Sequence, residues 1–169
     1  MPNASLTRDQ AREIDRLAME EYGVRGLILM ENAGRRCACM VEKMVESVDA
    51  PQVSLFCGGG NNGGDGFVIA RHPWNHGLSV HVYVVGEVHQ ILEKDTDASV
   101  NLEIVRNMDI PIAEITSDAG AKDHADKASE SDLVVDALLG TGIAGDVRGH
   151  FRPLIEDRCC RTSGRRRLI

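Results

Sequence analysis

With 169 residues, 43% of them apolar and only 4% aromatic, the chain is sized for one domain with a mainly aliphatic core. Its net charge of −7 at pH 7 argues against a nucleic-acid surface, and no apolar run nears the ~20 residues that span a membrane. The opening residues Met1 to Ser5 lack the basic-then-apolar pattern of a secretory leader, so a cytoplasmic protein is expected.

In chain order, Thr7 and Gln10 have the spacing of a capping box. Ala11, Ile14, Leu17 and Ala18 then recur at helical spacing, and Gly23 is placed to end that helix. A second helix is expected from about Leu27 to Val45, with Met30, Ala33, Cys37, Met40, Val41 and Met44 as its core stripe. After Pro51, strands and helices alternate. Val53 to Cys57 reads as a strand, Gly63 to about His76 as a helix, and Val80, Val82 and Val84 as the inward face of a second strand. Ala98, Leu102 and Val105 mark the next helix. Ile112 to Ile115 reads as a strand, Ala121 to Ser129 as a weak helix, and Leu133 to Ala137 as a buried strand. This alternation predicts a mostly parallel sheet with helices on both faces.

The five cysteines are Cys37, Cys39, Cys57, Cys159 and Cys160. They have no metal-site spacing and are expected to be reduced and mostly buried. The six histidines form no cluster with metal spacing. The last thirteen residues, Asp157 to Ile169, hold five arginines against one aspartate, which leaves −11 on the remainder.

The most informative stretch is Cys57 to Gly66, in which six of ten residues are glycine. An apolar strand before it and a helix after it make it an expected anion cradle, with backbone N–H groups and the helix dipole turned toward a phosphate. Asn61, Asn62 and Asp65 can bond something more specific. A second glycine-rich run, Gly140 to Asp146, follows the strand that ends near Asp136. Ligands of open parallel sheets bind beyond the carboxyl ends of the strands, so both runs are expected to face one crevice. Gly58, Gly60 and Gly63 also match the G-x-G-x-x-G dinucleotide fingerprint, a weak signal by itself, with Glu87 slightly late as the ribose-binding acid. Asp136 has two readings. It either caps the loop after its strand or, beside an amide such as Asn62, supplies oxygen to an alkali or alkaline-earth ion.

Three motifs in order carry a resemblance. Leu29 to Gly34 (LMENAG), Gly60 to Gly66 (GNNGGDG) and Val135 to Gly142 (VDALLGTG) resemble the NAD(P)H-hydrate epimerases, or YjeF N-terminal domain, over about residues 6 to 156. The resemblance implies a Rossmann-like, three-layer α/β/α sandwich. It implies interconversion of the R and S hydrates of NADH and NADPH, which carry a hydroxyl at C6 of the nicotinamide ring. Substrate contacts carry over to Asn61, Asn62, Gly63, Gly64 and Asp65, and to Gly140, Thr141, Gly142, Ile143, Ala144, Gly145 and Asp146. Asn62 and Asp136 carry over as ligands of a potassium ion. A stereospecific dehydratase is the implied functional partner, and an exposed helix pair near the N-terminus could pair two copies as a homodimer. Asp65 is the candidate acid/base.

The chain departs from the family after Ile155 and Glu156. Members carry a further strand ending in a motif like Asp-Ile-Pro-Ser-Gly, which is not found here. Residues 157–169 are read as an atypical basic tail from a frameshifted or mis-terminated reading frame, with no strand pattern. The sheet is then expected to lack its last strands, the ion site to lack one ligand, and catalysis to be weakened. Two other readings compete. One is a non-catalytic nucleotide-binding or protein-interaction module of the same fold. The other is a nicotinamide dehydrogenase, which leaves Asn61, Asn62 and Asp65 unexplained.

Overall fold

The computed structural model describes residues 6–140, 149–159 and 167–168. Their element order is α1 (Arg8–Glu20), α2 (Gly26–Val45), β1 (Gln52–Cys57), α3 (Asn61–Asn75), β2 (Ser79–Val85), α4 (Val88–Leu92), α5 (Asp97–Asn107), β3 (Ile112–Ile115), α6 (Asp118–Ala128), β4 (Leu133–Ala137), α7 (Phe151–Cys159) and β5 (Arg167–Leu168). The strands form one sheet in the order β3-β2-β1-β4-β5, with every ladder parallel. The chain reverses its direction of travel across the sheet between β1 and β4, which is where doubly wound folds bind ligands. The four strands read from the sequence are present, and two of them, β3 and β4, have the expected bounds. The tail differs from its reading. α7 runs across the 156/157 boundary, and Arg167–Leu168 pair parallel to Leu133–Val134.

The sheet divides the core in two. Val53, Leu55 and Cys57 of β1, with Val80, Val82 and Val84 of β2, meet Val41, Phe67, Leu102 and Val105 from α2, α3 and α5. On the other face, Phe56, Tyr83, Val85 and Ile115 meet Ala121, Ala128 and Leu154 from α6 and α7. Phe56, Leu55 and Phe67 are fully buried, and burial of each stabilises the fold by about 1.5–3 kcal/mol. Sandwiched this way, the central strands need apolar residues at successive positions, which is why β1 runs Leu55-Phe56-Cys57 and β2 is rich in valine.

α1 opens with the expected capping box. The Thr7 hydroxyl accepts from Gln10 N–H at 3.2 Å, and Gln10 Oε1 accepts from Thr7 N–H at 2.9 Å. Its apolar stripe is not core, however. Ala11 and Ile14 are exposed, Leu17 and Ala18 are half-buried, and no residue of the helix is buried.

α2 faces the core through Met30, Gly34, Ala38, Val41 and Val45, so the expected stripe is rotated and Ala33, Cys37 and Met40 are exposed. Small residues set this rotation. A Cβ on Gly34 would come within 2.5 Å of Val68, so the glycine lets α2 cross close over α3. Glu31 ties the same crossing by accepting from Arg71 and by meeting His72 Nε2 at 2.9 Å. The cysteines follow the rotation: Cys37 and Cys39 are exposed, against expectation, and Cys57 is buried. Among the described residues, no helix is long and apolar enough to cross a membrane.

Candidate functional site

β1 ends at Cys57, and α3 begins only four residues later, with Gly60 as N-cap and no side-chain cap. The glycine-rich stretch is therefore a short turn followed by the first turns of a helix that begins at Asn61, two residues before the expected start. None of its glycines has a positive φ. At Gly58, Gly63, Gly64 and Gly66 they are there because nothing larger fits. A Cβ on Gly63 would lie 1.7 Å from the Gly58 carbonyl oxygen, and one on Gly66 would lie 2.6 Å from both Ala137 Cβ and Cys57 Sγ. One on Gly64 would meet Met30 Sδ at 2.7 Å. The glycines let α3 descend onto the ends of β1 and β4, which brings its N-terminus to the carboxyl edge of the sheet.

That edge carries a cleft of about 680 Å³, lined by Arg12, Asp15, Gly59, Gly60, Asn61, Asn62, Gly63, Asp65, Leu138, Leu139, Gly140 and Phe151. The size suits a cofactor-scale ligand. The first intrahelical bond closes at Gly64, whose N–H donates to the Gly60 carbonyl at 2.9 Å. The N–H groups of Asn61, Asn62 and Gly63 precede it and have no partner inside the helix. They and the positive end of the dipole form the anion-binding part of the cleft.

The structure brings Asn61, Asn62, Gly63, Asp65 and Gly140 together as the sequence reading expects. A Cβ on Gly140 would lie 3.2 Å from Asn62 Cβ, so the second glycine-rich run begins against the first. Gly64 is not part of the lining; it is buried beneath Met30 and Ala98. Thr141, Gly142, Ile143, Ala144, Gly145 and Asp146 lie outside the described residues.

Asp136 shows its capping role: its Oδ1 accepts from Leu138 N–H at 3.0 Å. It is exposed, and its register opposite Phe56 puts it on the α6–α7 face of the sheet, two residues before the Leu138–Gly140 wall. Asn62, on α3, approaches that wall from the other face. Among the described residues, the cleft lining contains no cysteine or histidine. Among the described residues, no cluster of three or more His, Cys, Asp or Glu is placed to hold a metal ion. A carboxylate and an amide oxygen suit a hard alkali ion and do not suit a soft one.

Asp65 stands in the second turn of α3 and is half-buried. Burial, reinforced by the negative charge of Asp15, pushes its carboxyl up to about 6, which lets it both give and take a proton near neutral pH. Arg12, Asp15 and Phe151 are lining residues that the sequence reading missed. Arg12 and Asp15 share one face of α1 at i,i+3 spacing, a pairing that the apolar stripe of the helix does not reveal. Glu87 stands outside the lining, as the N-cap of α4.

A family model described as YjeF-related protein N-terminus matches residues 26–164. The chain is similar to a protein of Rhodopirellula baltica named NAD(P)H-hydrate epimerase, 38% identical over 153 residues, covering 89% of this chain and 58% of that one. A protein of the same name in Pirellula staleyi is 39% identical over 149 residues, covering 88% and 63%. A protein of Methanothermobacter thermautotrophicus named bifunctional NAD(P)H-hydrate repair enzyme Nnr is 41% identical over 137 residues, covering 81% and 25%. The chain thus spans less than two thirds of the length of each of these relatives. In fold it resembles the crystal structure of yeast ynu0, with a TM-score of 0.76 at 24% identity, covering 93% of this chain and 65% of that one. This chain belongs to the YjeF-related protein N-terminus family.

Proposed function

We propose that this chain epimerises NAD(P)H hydrate, exchanging the R and S configurations at the hydroxyl-bearing carbon of the nicotinamide ring. The observation that carries this reading is one cleft that joins open backbone N–H groups at the start of α3 to a carboxyl poised at about 6 on the same helix. Relatives named NAD(P)H-hydrate epimerase support it.

In this reading the phosphates rest on the N–H groups of Asn61, Asn62 and Gly63. The Asn61 and Asn62 amides orient the ring, and Gly140 leaves room for it. Asp65 moves a proton to and from the ring hydroxyl as the C–O bond opens and re-forms on the opposite face. Asn62, in the cleft lining, and Asp136, outside the lining on the far side of the Leu138–Gly140 wall, are the expected potassium ligands, and an ion held between them would supply a positive charge beside the anionic substrate. A stereospecific dehydratase would consume the product. That role is in keeping with a relative named as a bifunctional repair enzyme. The exposed Ile14 of α1 and the exposed Ile28 and Met40 of α2 would pair two copies, a state that sedimentation equilibrium measures directly.

The test is chiral chromatography of purified (R)- and (S)-NADHX with and without the chain. Exchange much faster than the spontaneous rate supports the proposal. Exchange no faster than the spontaneous rate overturns it.

A further inference from the structure

α1 contributes little to the core. None of its thirteen residues is buried, it packs lightly against α2, and a complete capping box holds its start. It does deliver two charges to the cleft: Arg12 and Asp15, a turn apart, both line it. Among the described residues, the charged part of the lining is Asp65, Asp15 and Arg12. The walls from Gly59 to Gly63, from Leu138 to Gly140 and from Phe151 carry no charge.

We propose that Asp15 is a positioning residue for Asp65: α1 lays a second carboxylate along the cleft so that Asp65 can serve as proton donor as well as acceptor. The inference rests on the reading of Asp65 as the acid/base of epimerisation. The physical reason is the cost of two like charges facing one partly enclosed space. Where one carboxyl is half-buried and the other exposed, the half-buried one keeps the proton. Burial is the larger cause of the raised Asp65 value and Asp15 the second. Arg12, from the same helix face, adds a cation beside the pair that suits the anionic end of a nucleotide.

A direct test is a carbon-13 NMR titration of the Asp65 side-chain carboxyl in the full chain, with the resonance assigned by its loss in Asp65→Asn. The wild-type midpoint is expected at about 6. Asp15→Asn should lower it by roughly half a pH unit, with burial keeping the rest. Asp15→Glu, which keeps the charge, should restore most of that loss. The acidic limb of the R/S exchange profile should move with the midpoint. An Asp65 midpoint unchanged in Asp15→Asn overturns the inference whatever the catalytic rate. A midpoint that moves in a chain with no exchange activity overturns the epimerase reading and leaves the coupling of the two carboxylates standing. Asp15 is exposed, so these variants are expected to fold, and matching far-UV circular dichroism checks that they do.

Discussion

In the proposed epimerisation, Asp65 carries the largest chemical burden of any single residue. Replacing it with Asn should slow R/S exchange by roughly 100-fold or more, the scale of a lost general acid/base. The same change should raise stability. A carboxyl held at about 6 when folded, against an ordinary 3.8, keeps its proton in the native state over a window where the unfolded chain has lost it. Stability therefore falls as pH rises through that window, and above about 6 the wild-type chain carries the full penalty. Discounted for partial exposure, the penalty is about 1 kcal/mol. Thermal melts at pH 7.5 should show Asp65→Asn above the wild type, and an unchanged or lower Tm would contradict the raised value. The amides beside it were legible in the sequence because nothing in a turn or a core requires two consecutive asparagines among glycines. Asp15 was not legible, because its importance lies in what α1 is packed beside.

At the scale of elements, the descent of α3 onto the sheet is the feature that makes the site. Gly66→Ala would force a methyl into Ala137 and Cys57, with an expected loss of about 1–3 kcal/mol from overpacking. Urea denaturation measures that loss, and a near-neutral result would mean that α3 can lift without cost. The cap of α1 is separable from the rest. Thr7→Ala should cost about 1 kcal/mol, and hydrogen exchange should show it as faster exchange in α1 with α2 to β4 unchanged. Strand and helix existence was readable from apolar periodicity, and the bounds of β3 and β4 were readable to the residue. The rotation of α2 was not readable, because a methionine-and-cysteine stripe looks more apolar than the Gly34–Ala38 line that packs. Close helix crossing selects small residues over hydrophobic ones.

For the whole molecule, the α6–α7 face of the sheet gives stability a second pH dependence. His81 stacks on Tyr83 at 4.6 Å, and His124 lies 5.2 Å from the same ring, its Nδ1 buried without a partner. Burial is the first cause that holds both imidazoles below their ordinary range. The unfolded chain then binds protons that the native state refuses, so this contribution is present above about 6.5. It is lost as pH falls toward the depressed folded values. Tm should drop between pH 7 and pH 5.5, and replacing both histidines with Phe should flatten that drop. Ligand linkage is the global readout of the cleft. An NADP analogue at about 100 times its Kd should stabilise the fold by about 2.7 kcal/mol, and Asn62→Ala should reduce that gain.

By itself the sequence determined the element alternation, hence the parallel sheet, and marked the residues at the strand ends, because periodicity and residue chemistry are local properties. Only the tertiary structure decided that the glycines serve close packing rather than loop freedom. It also decided that Asp136 lies on the opposite face of the sheet from α3, and that α1 brings Arg12 and Asp15 to Asp65. Those facts depend on distances between segments far apart in the chain, and such distances are set by packing, which no single stretch of sequence encodes.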